Sequence, residues 1–237
     1  MADSMAGERG WHDDLAQRLA THGLQVRGAM HPAAGDGAPA LASGAPALTL
    51  VLVGNAGADM WTRFADGPEA GDGAPHPLNR WTRRVVGEIA TRCGADAVYP
   101  FDGPPWPPFL AWARQADRVF PSPLGLLIHA DYGLWHAYRA ALLFAERLTE
   151  QPAMPRPAPA ERPCDTCAGK PCLSACPVGA FDGRTYDVAA CRDHLHTVEG
   201  KRCMSGGCLA RHACPIGPEW AYGRDHASFH MTAFRRG

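Results

Sequence analysis

The sequence has no surplus of charge of either sign: 23 Lys and Arg stand against 24 Asp and Glu, a formal net charge of −1. A general polyanion binder needs a concentrated basic surface, so this balance argues against nucleic acid as a partner. Long apolar runs are missing too. The longest candidate, Leu124–Leu148, is broken by Asp131, His136, Arg139 and Glu146, short of the roughly 18 uninterrupted apolar residues of a membrane span. The opening residues, MADSMAGERGWHDD, are polar and small, and no export signal is read in them. The expectation is a soluble, cytoplasmic protein with no membrane partner. There is no G-x-x-x-x-G-K-[ST], no G-x-G-x-x-G between a strand and a helix, no G-x-S-x-G and no H-E-x-x-H. The usual phosphate cradles, nucleophile elbow and zinc-protease helix are thereby excluded.

Cysteine, by contrast, is plentiful and clustered. Eight of the nine cysteines lie in the 51 residues from Cys164 to Cys214. Without an export signal, such clustering points to metal or catalysis rather than to a disulfide scaffold. The first group is Cys164-x2-Cys167-x4-Cys172-x3-Cys176-Pro177, Cys191 follows alone, and the second group is Cys203-x4-Cys208-x5-Cys214-Pro215. Both resemble the two-cluster ferredoxin run C-x2-C-x2-C-x3-C-P with small insertions; in that run the last cysteine serves the other cluster. The pattern predicts two [4Fe–4S] clusters, one on Cys164, Cys167, Cys172 and Cys214, the other on Cys176, Cys191, Cys203 and Cys208. The proline after each crossing cysteine fixes φ and turns the chain away. Structural zinc is the rival, since eight thiolates can also make two tetrahedral sites. Against it, both groups end in Cys-Pro with small residues alongside, rather than pairing two zinc knuckles.

The remaining residues carry ordinary globular patterning, 46% of the chain being hydrophobic. A short amphipathic helix is expected around Asp14–Thr21, loop over His31–Pro46, and a buried strand at Ala47–Val53 ending at Gly54. Asn79 reads as the N-cap of a helix with Trp81, Val85, Ile89 and Ala90 on one face, closed by Gly94. Ala97–Phe101 and Leu124–His129 read as strands, with a helix containing Leu110, Trp112 and Ala113 between them. A helix from about Tyr132 to Leu148 is expected to follow, presenting Trp135, Tyr138, Leu142 and Ala145 on one side. Residues 151–163 hold five prolines and read as a semi-rigid linker, dividing a domain of residues 1–150 from a cysteine-dense one of 164–237. That last region is short of large aliphatic residues and needs an inorganic core.

One segment of the first domain carries a resemblance. Gly125, Ile128, His129, Tyr132, Gly133, Trp135 and Arg139 fall in register with the strand–turn–helix of the CblC cobalamin-processing family, G-hydrophobic-hydrophobic-I-H-P-x-aromatic-G-x-W-x-x-x-R, and Ala130 stands where that family has proline. LTLVLVGNAGADMWTRF and HPLNRWTRRVV resemble the family's central strand and following helices, so the likeness covers about residues 20–150. The cysteine order, including the lone Cys191, and the Tyr132–Trp135 turn are similar to the epoxyqueuosine reductases, relatives of the reductive dehalogenases. No counterpart of their acid-donating Asp occupies an equivalent context; Asp102 is the nearest.

The resemblance implies an α+β protein, a nitroreductase-like cobalamin-binding domain followed by a small ferredoxin-like one. It implies a corrinoid contacted by Gly125, Leu126, Leu127 and Ile128 and by His129, Tyr132, Trp135 and Arg139. Gly125 would let the backbone approach a flat macrocycle, Trp135 would offer apolar area, and Arg139 a bond to a corrin amide or an anion. The blander roles are a bulge, a core anchor, a surface arginine and a packed histidine. No D-x-H-x-x-G is present, which favours a base-off corrinoid without a protein ligand to cobalt. Three functions are open: reductive removal or exchange of cobalamin's upper ligand, cobalamin-dependent reduction of another substrate, and plain electron transfer. Each needs an electron donor, a flavodoxin, a ferredoxin or a reductase.

Overall fold

The computed structural model describes residues 10–148 and 162–236; residues 151–161 of the expected linker lie outside them. The elements run α1 (Trp11–Ala20), β1 (Gln25–Met30), β2 (Thr49–Ala56), α2 (Asp59–Ala65), α3 (Pro68–Gly71), α4 (Pro77–Arg92), β3 (Asp96–Val98) and α5 (Phe109–Ala116). They continue with β4 (Val119–Pro121), β5 (Leu127–His129), β6 (His136–Phe144), α6 (Pro171–Ser174), α7 (Val188–Leu195), α8 (Lys201–Gly206), α9 (Leu209–His212), a 3-10 turn at Pro218–Trp220, and α10 (Arg224–Arg236). Helices and antiparallel-paired strands together make up the α+β class expected. Two compact units form. One holds residues 10–55, 59–117 and 137–148, the other residues 56–58, 118–136 and 162–236.

In the first unit a four-stranded sheet has the order β1-β2-β6-β3. Every residue of β2 is buried, as a central strand covered on both faces requires. Helix α4 turns Leu78, Trp81, Val85, Val86, Ile89 and Ala90 inward at helical spacing, each large side chain contributing about 1.5–3 kcal/mol by leaving water. Two expectations are corrected here. Asn79 lies inside α4, which begins at Pro77 after His76; proline at the first helical position supplies the preset φ that starts the helix. Residues 136–144 form a strand, not a helix, because β6 fills the place between β2 and β3. A register shift between Val26 and Gly28 leaves Arg27 as a bulge in β1. Gly28 has no alternative: a Cβ there would stand 2.0 Å from the Ala116 carbonyl oxygen.

The second unit answers the shortage of aliphatic residues seen in the cysteine-rich sequence. Its core joins Leu124, Ile128 and Leu134 from residues 118–136 to Cys172, Ala180, Phe181, Ala210 and Cys214. That shared apolar surface is why the β4–β5 hairpin, expected within residues 1–150, belongs with the cysteines. Helix α6 packs on α9, and α8 on α10. Loop and loop meet without side chains between them: a Cβ on Gly133 would stand 1.9 Å from the Ile216 carbonyl oxygen.

Candidate metal centre

All described cysteines are free thiols, and their mutual electrostatics sort them four and four. Burial first, and then the like charges of Cys214, Cys172 and Cys167, raise the Cys164 thiol to about 11. Cys172 is raised by burial and then by Cys214 and Cys167, and Cys214 by burial and then by Cys167. In the other group burial raises Cys191, Cys203 and Cys208, with Cys176 acting on all three and Cys191 on the last two. The chain thus brings Cys214 back to Cys164, Cys167 and Cys172, and places Cys176 with Cys191, Cys203 and Cys208 around one cavity.

Local structure explains the sorting. Cys172 is the second residue of α6, whose short turn carries the chain past Ser174 so that Cys176 emerges beyond it. Cys191 sits on α7, which starts where the Asp187 carboxylate accepts from the Ala190 N–H at 2.9 Å. Cys203 lies on α8, and Cys208 immediately precedes α9. The thiols of Cys176, Cys191, Cys203 and Cys208 line one cavity, with Phe181 and Leu195 among its apolar walls. Backbone N–H groups point at the sulfurs: Ala180 donates to Cys176 at 3.4 Å, Leu209 to Cys203, Ala210 and Arg211 to Cys208, and Ile216 to Cys214. A thiol-walled hollow with converging N–H donors fits an iron–sulfur cage, whose bridging sulfides fill such a space. Among the described residues no three His, Cys, Asp or Glu side chains gather as a point site for a single ion.

The hairpin residues divide into two sets. Gly125 and Leu126 are exposed at the β4–β5 tip, Gly125 with φ +73° and open space where a Cβ would stand. Ile128 and His129 are buried. His129 stacks on Tyr132 at 4.3 Å, and its Nδ1 accepts from the N–H groups of Asp131 at 3.0 Å and Tyr132 at 3.2 Å. This fixes the turn and commits that nitrogen to it. Trp135 is only 2% exposed. Arg211 lies over its ring, 4.5 Å from the centroid, and over that of Tyr222 at the same distance, while its Nε donates to the Leu134 carbonyl at 3.1 Å. Trp135, expected to offer apolar area to a corrinoid, packs here against Arg211, His212 and Tyr222. With β6 a strand, there is no helix start at Tyr132–Arg139. In the first unit Arg139 donates from Nε to Asn55 Oδ1 at 3.1 Å. Asp102 is salt-bridged to Arg83, and its Oδ2 accepts from the Tyr99 N–H at 2.9 Å.

No protein-family profile matches the chain, and no curated protein does. Among solved structures it is similar to the B12-trafficking protein CblC of C. elegans, with a TM-score of 0.53 at 13% identity, over 93% of this chain and 91% of that one. The likeness to CblC is one of fold. Two epoxyqueuosine reductase structures also align. One has a TM-score of 0.47 at 12% identity, over 91% of this chain and 68% of that one. The other, with an epoxyqueuosine-modified tRNA-Tyr stem loop, has a TM-score of 0.48 at 12% identity, over 89% and 66%.

Beside this CblC-like fold, several features escape a reading of the sequence. Tyr186 and His194 reach cysteine sulfurs, and only His194, three residues past Cys191 on α7, leaves a spacing that could signal it. Arg27 and Asp117 form a buried ion pair across 90 residues, for which no local signal exists.

Proposed function

We propose that this chain is a cobalamin-binding iron–sulfur oxidoreductase that reduces the cobalt of cobalamin and removes or exchanges its upper axial ligand, drawing electrons through two [4Fe–4S] clusters of a ferredoxin-like unit. The observation that carries the reading is the cavity lined by Cys176, Cys191, Cys203 and Cys208, beside the action of Cys214 on Cys164 and Cys172; it supports the crossed grouping that the ferredoxin spacing predicts. Cys164, Cys167, Cys172 and Cys214 would hold one cluster, and Cys176, Cys191, Cys203 and Cys208 the other. When bound, the clusters supply one-electron transfer at low potential, and the corrinoid supplies a cobalt whose reduction loosens its upper ligand.

The chain's own part is positional. Backbone N–H groups of Ala180, Leu209, Ala210, Arg211 and Ile216 stabilise sulfur as thiolate, which is the ligating form. Apolar walls such as Phe181 and Leu195 keep water from the cavity. The exposed Gly125–Leu126 tip gives a flat ligand an unobstructed backbone to rest on. His129 Nδ1 is committed to its own turn, in keeping with a corrinoid bound without an axial histidine. The fold shared with a B12-trafficking protein supports the corrinoid part of the reading.

Protein purified without air and mixed with cobalamin should shift the corrinoid absorption bands, and adding a strong reductant should release the upper ligand. A chain that holds both clusters but leaves those bands unchanged is an electron-transfer module, and the corrinoid reading fails.

A further inference from the structure

The two sets of thiols differ in what donates to their sulfurs. Around Cys164, Cys167, Cys172 and Cys214 the donors are backbone N–H groups, such as Leu173 to Cys172 and Ile216 to Cys214. The other set has backbone donors as well, from Ala180, Leu209, Ala210 and Arg211, and adds two side chains. The Tyr186 side chain packs with Cys191 against one core cluster, its hydroxyl acting on that sulfur as donor. His194 Nε2 lies 3.9 Å from Cys203 Sγ, and its ring lines the cavity.

Both side chains are held in place. Tyr186 stacks on Phe181 at 4.5 Å and 15° and faces Phe234 at 6.1 Å and 19°. Its backbone bridges that of Phe181. His194 follows Cys191 by three residues on α7, so one helix carries both the ligand and a donor to its neighbour.

Burial and nearby cations do not separate the sets. Each mixes buried with half-buried thiols, and each has one cation acting on a thiol, Lys170 on Cys164 and Arg202 on Cys203. A hydrogen bond to ligand sulfur stabilises the more negative, reduced state, so it raises the potential. We infer that Tyr186 and His194 are positioning residues whose bonds to Cys191 and Cys203 make the cage on Cys176, Cys191, Cys203 and Cys208 the easier of the two to reduce. This rests on the cluster reading above, and for His194 it calls for the tautomer protonated on Nε2.

The test is a potentiometric titration of the anaerobic full-length chain, followed by electron paramagnetic resonance, with iron and sulfide measured on every sample. The wild type should show two one-electron waves. Tyr186→Phe and His194→Leu should each lower the more positive wave, by roughly a tenfold change in the reduced-to-oxidised ratio or about 59 mV, and leave the other in place. His194→Gln, whose amide keeps a donor at that reach, should restore it. A variant that fails to load iron is replaced by its counterpart, since either donor moves the same wave. Unmoved midpoints in fully loaded variants, or a shift of the more negative wave instead, overturn the inference alone. A wild type without iron or any reduced-state signal overturns the cluster reading and the inference with it.

Discussion

At the scale of single residues, the chain places charge where only a matched partner makes it tolerable. Arg27, set into a bulge of β1, points both Nε and Nη2 at Asp117 Oδ2, at 3.1 and 2.9 Å, and Nη1 at the Asn55 carbonyl at 3.2 Å. Tyr138 donates to the same carboxylate oxygen at 2.7 Å. Burial and the Asp117 charge both drive the Tyr138 hydroxyl far up from its ordinary range, so it stays a donor. Arg27→Met should leave that carboxylate buried without its countercharge and destabilise the first unit by about 3–5 kcal/mol, read by denaturant unfolding. Asp182 behaves differently because it is exposed. It accepts from the N–H groups of Thr185 and Arg184 and from the Thr185 hydroxyl, and these hold its carboxyl at about 2, against an ordinary 3.8. A depressed carboxyl stabilises the fold fully above its unfolded value and loses that contribution as pH falls toward its folded one. The melting-temperature deficit of Asp182→Ala should therefore be constant down to about pH 4 and shrink below it.

At the scale of elements, the turns of the second unit depend on glycine for two separable reasons. Gly133 and Gly125 both have positive φ, +56° and +73°. Only Gly133 is also pressed against another chain segment, at Ile216. Gly125→Ala should cost about 1–2 kcal/mol, the strain of a side chain in that region. Gly133→Ala should cost clearly more, because backbone rather than a flexible side chain must give way; thermal unfolding of the two variants ranks them. The sequence makes these elements unequally legible. β2 announces itself as an unbroken β-branched and leucine run, and α4 through its repeating apolar face. β6 misleads because HAYRAALLF is buried over its last five residues, so it lacks the alternation of a half-buried strand. Its Ala and Leu, and the three- to four-residue spacing of Trp135, Tyr138 and Leu142, mimic a helix. The pairing of β6 with β2 and with β3, the latter from Asp96 to Leu143 through Val98 to Ala141, decides for a strand, and such pairing is not local. The crossed grouping proposed for the cysteines, by contrast, comes from the sequence, because ligand spacing is written along the chain. The donors to their sulfurs are not, because Tyr186 is bonded to Cys191 through a fold-dependent turn.

At the scale of the whole molecule, the second unit has a core of cysteines, small residues and a borrowed hairpin. Removing iron with an anaerobic chelator should therefore loosen residues 162–236 while leaving the sheet of the first unit protected; hydrogen exchange resolves the two. The hairpin residues 118–136 should lose protection with the cysteines, because Leu124, Ile128 and Leu134 share their core. The central claim is that each set of four thiols holds an iron–sulfur cage. Iron and acid-labile sulfide counted in protein purified without air test it most directly. The account predicts about eight of each per chain, in two cages of four, with a brown colour that reductant bleaches. Colourless protein carrying zinc, or no metal, would contradict it.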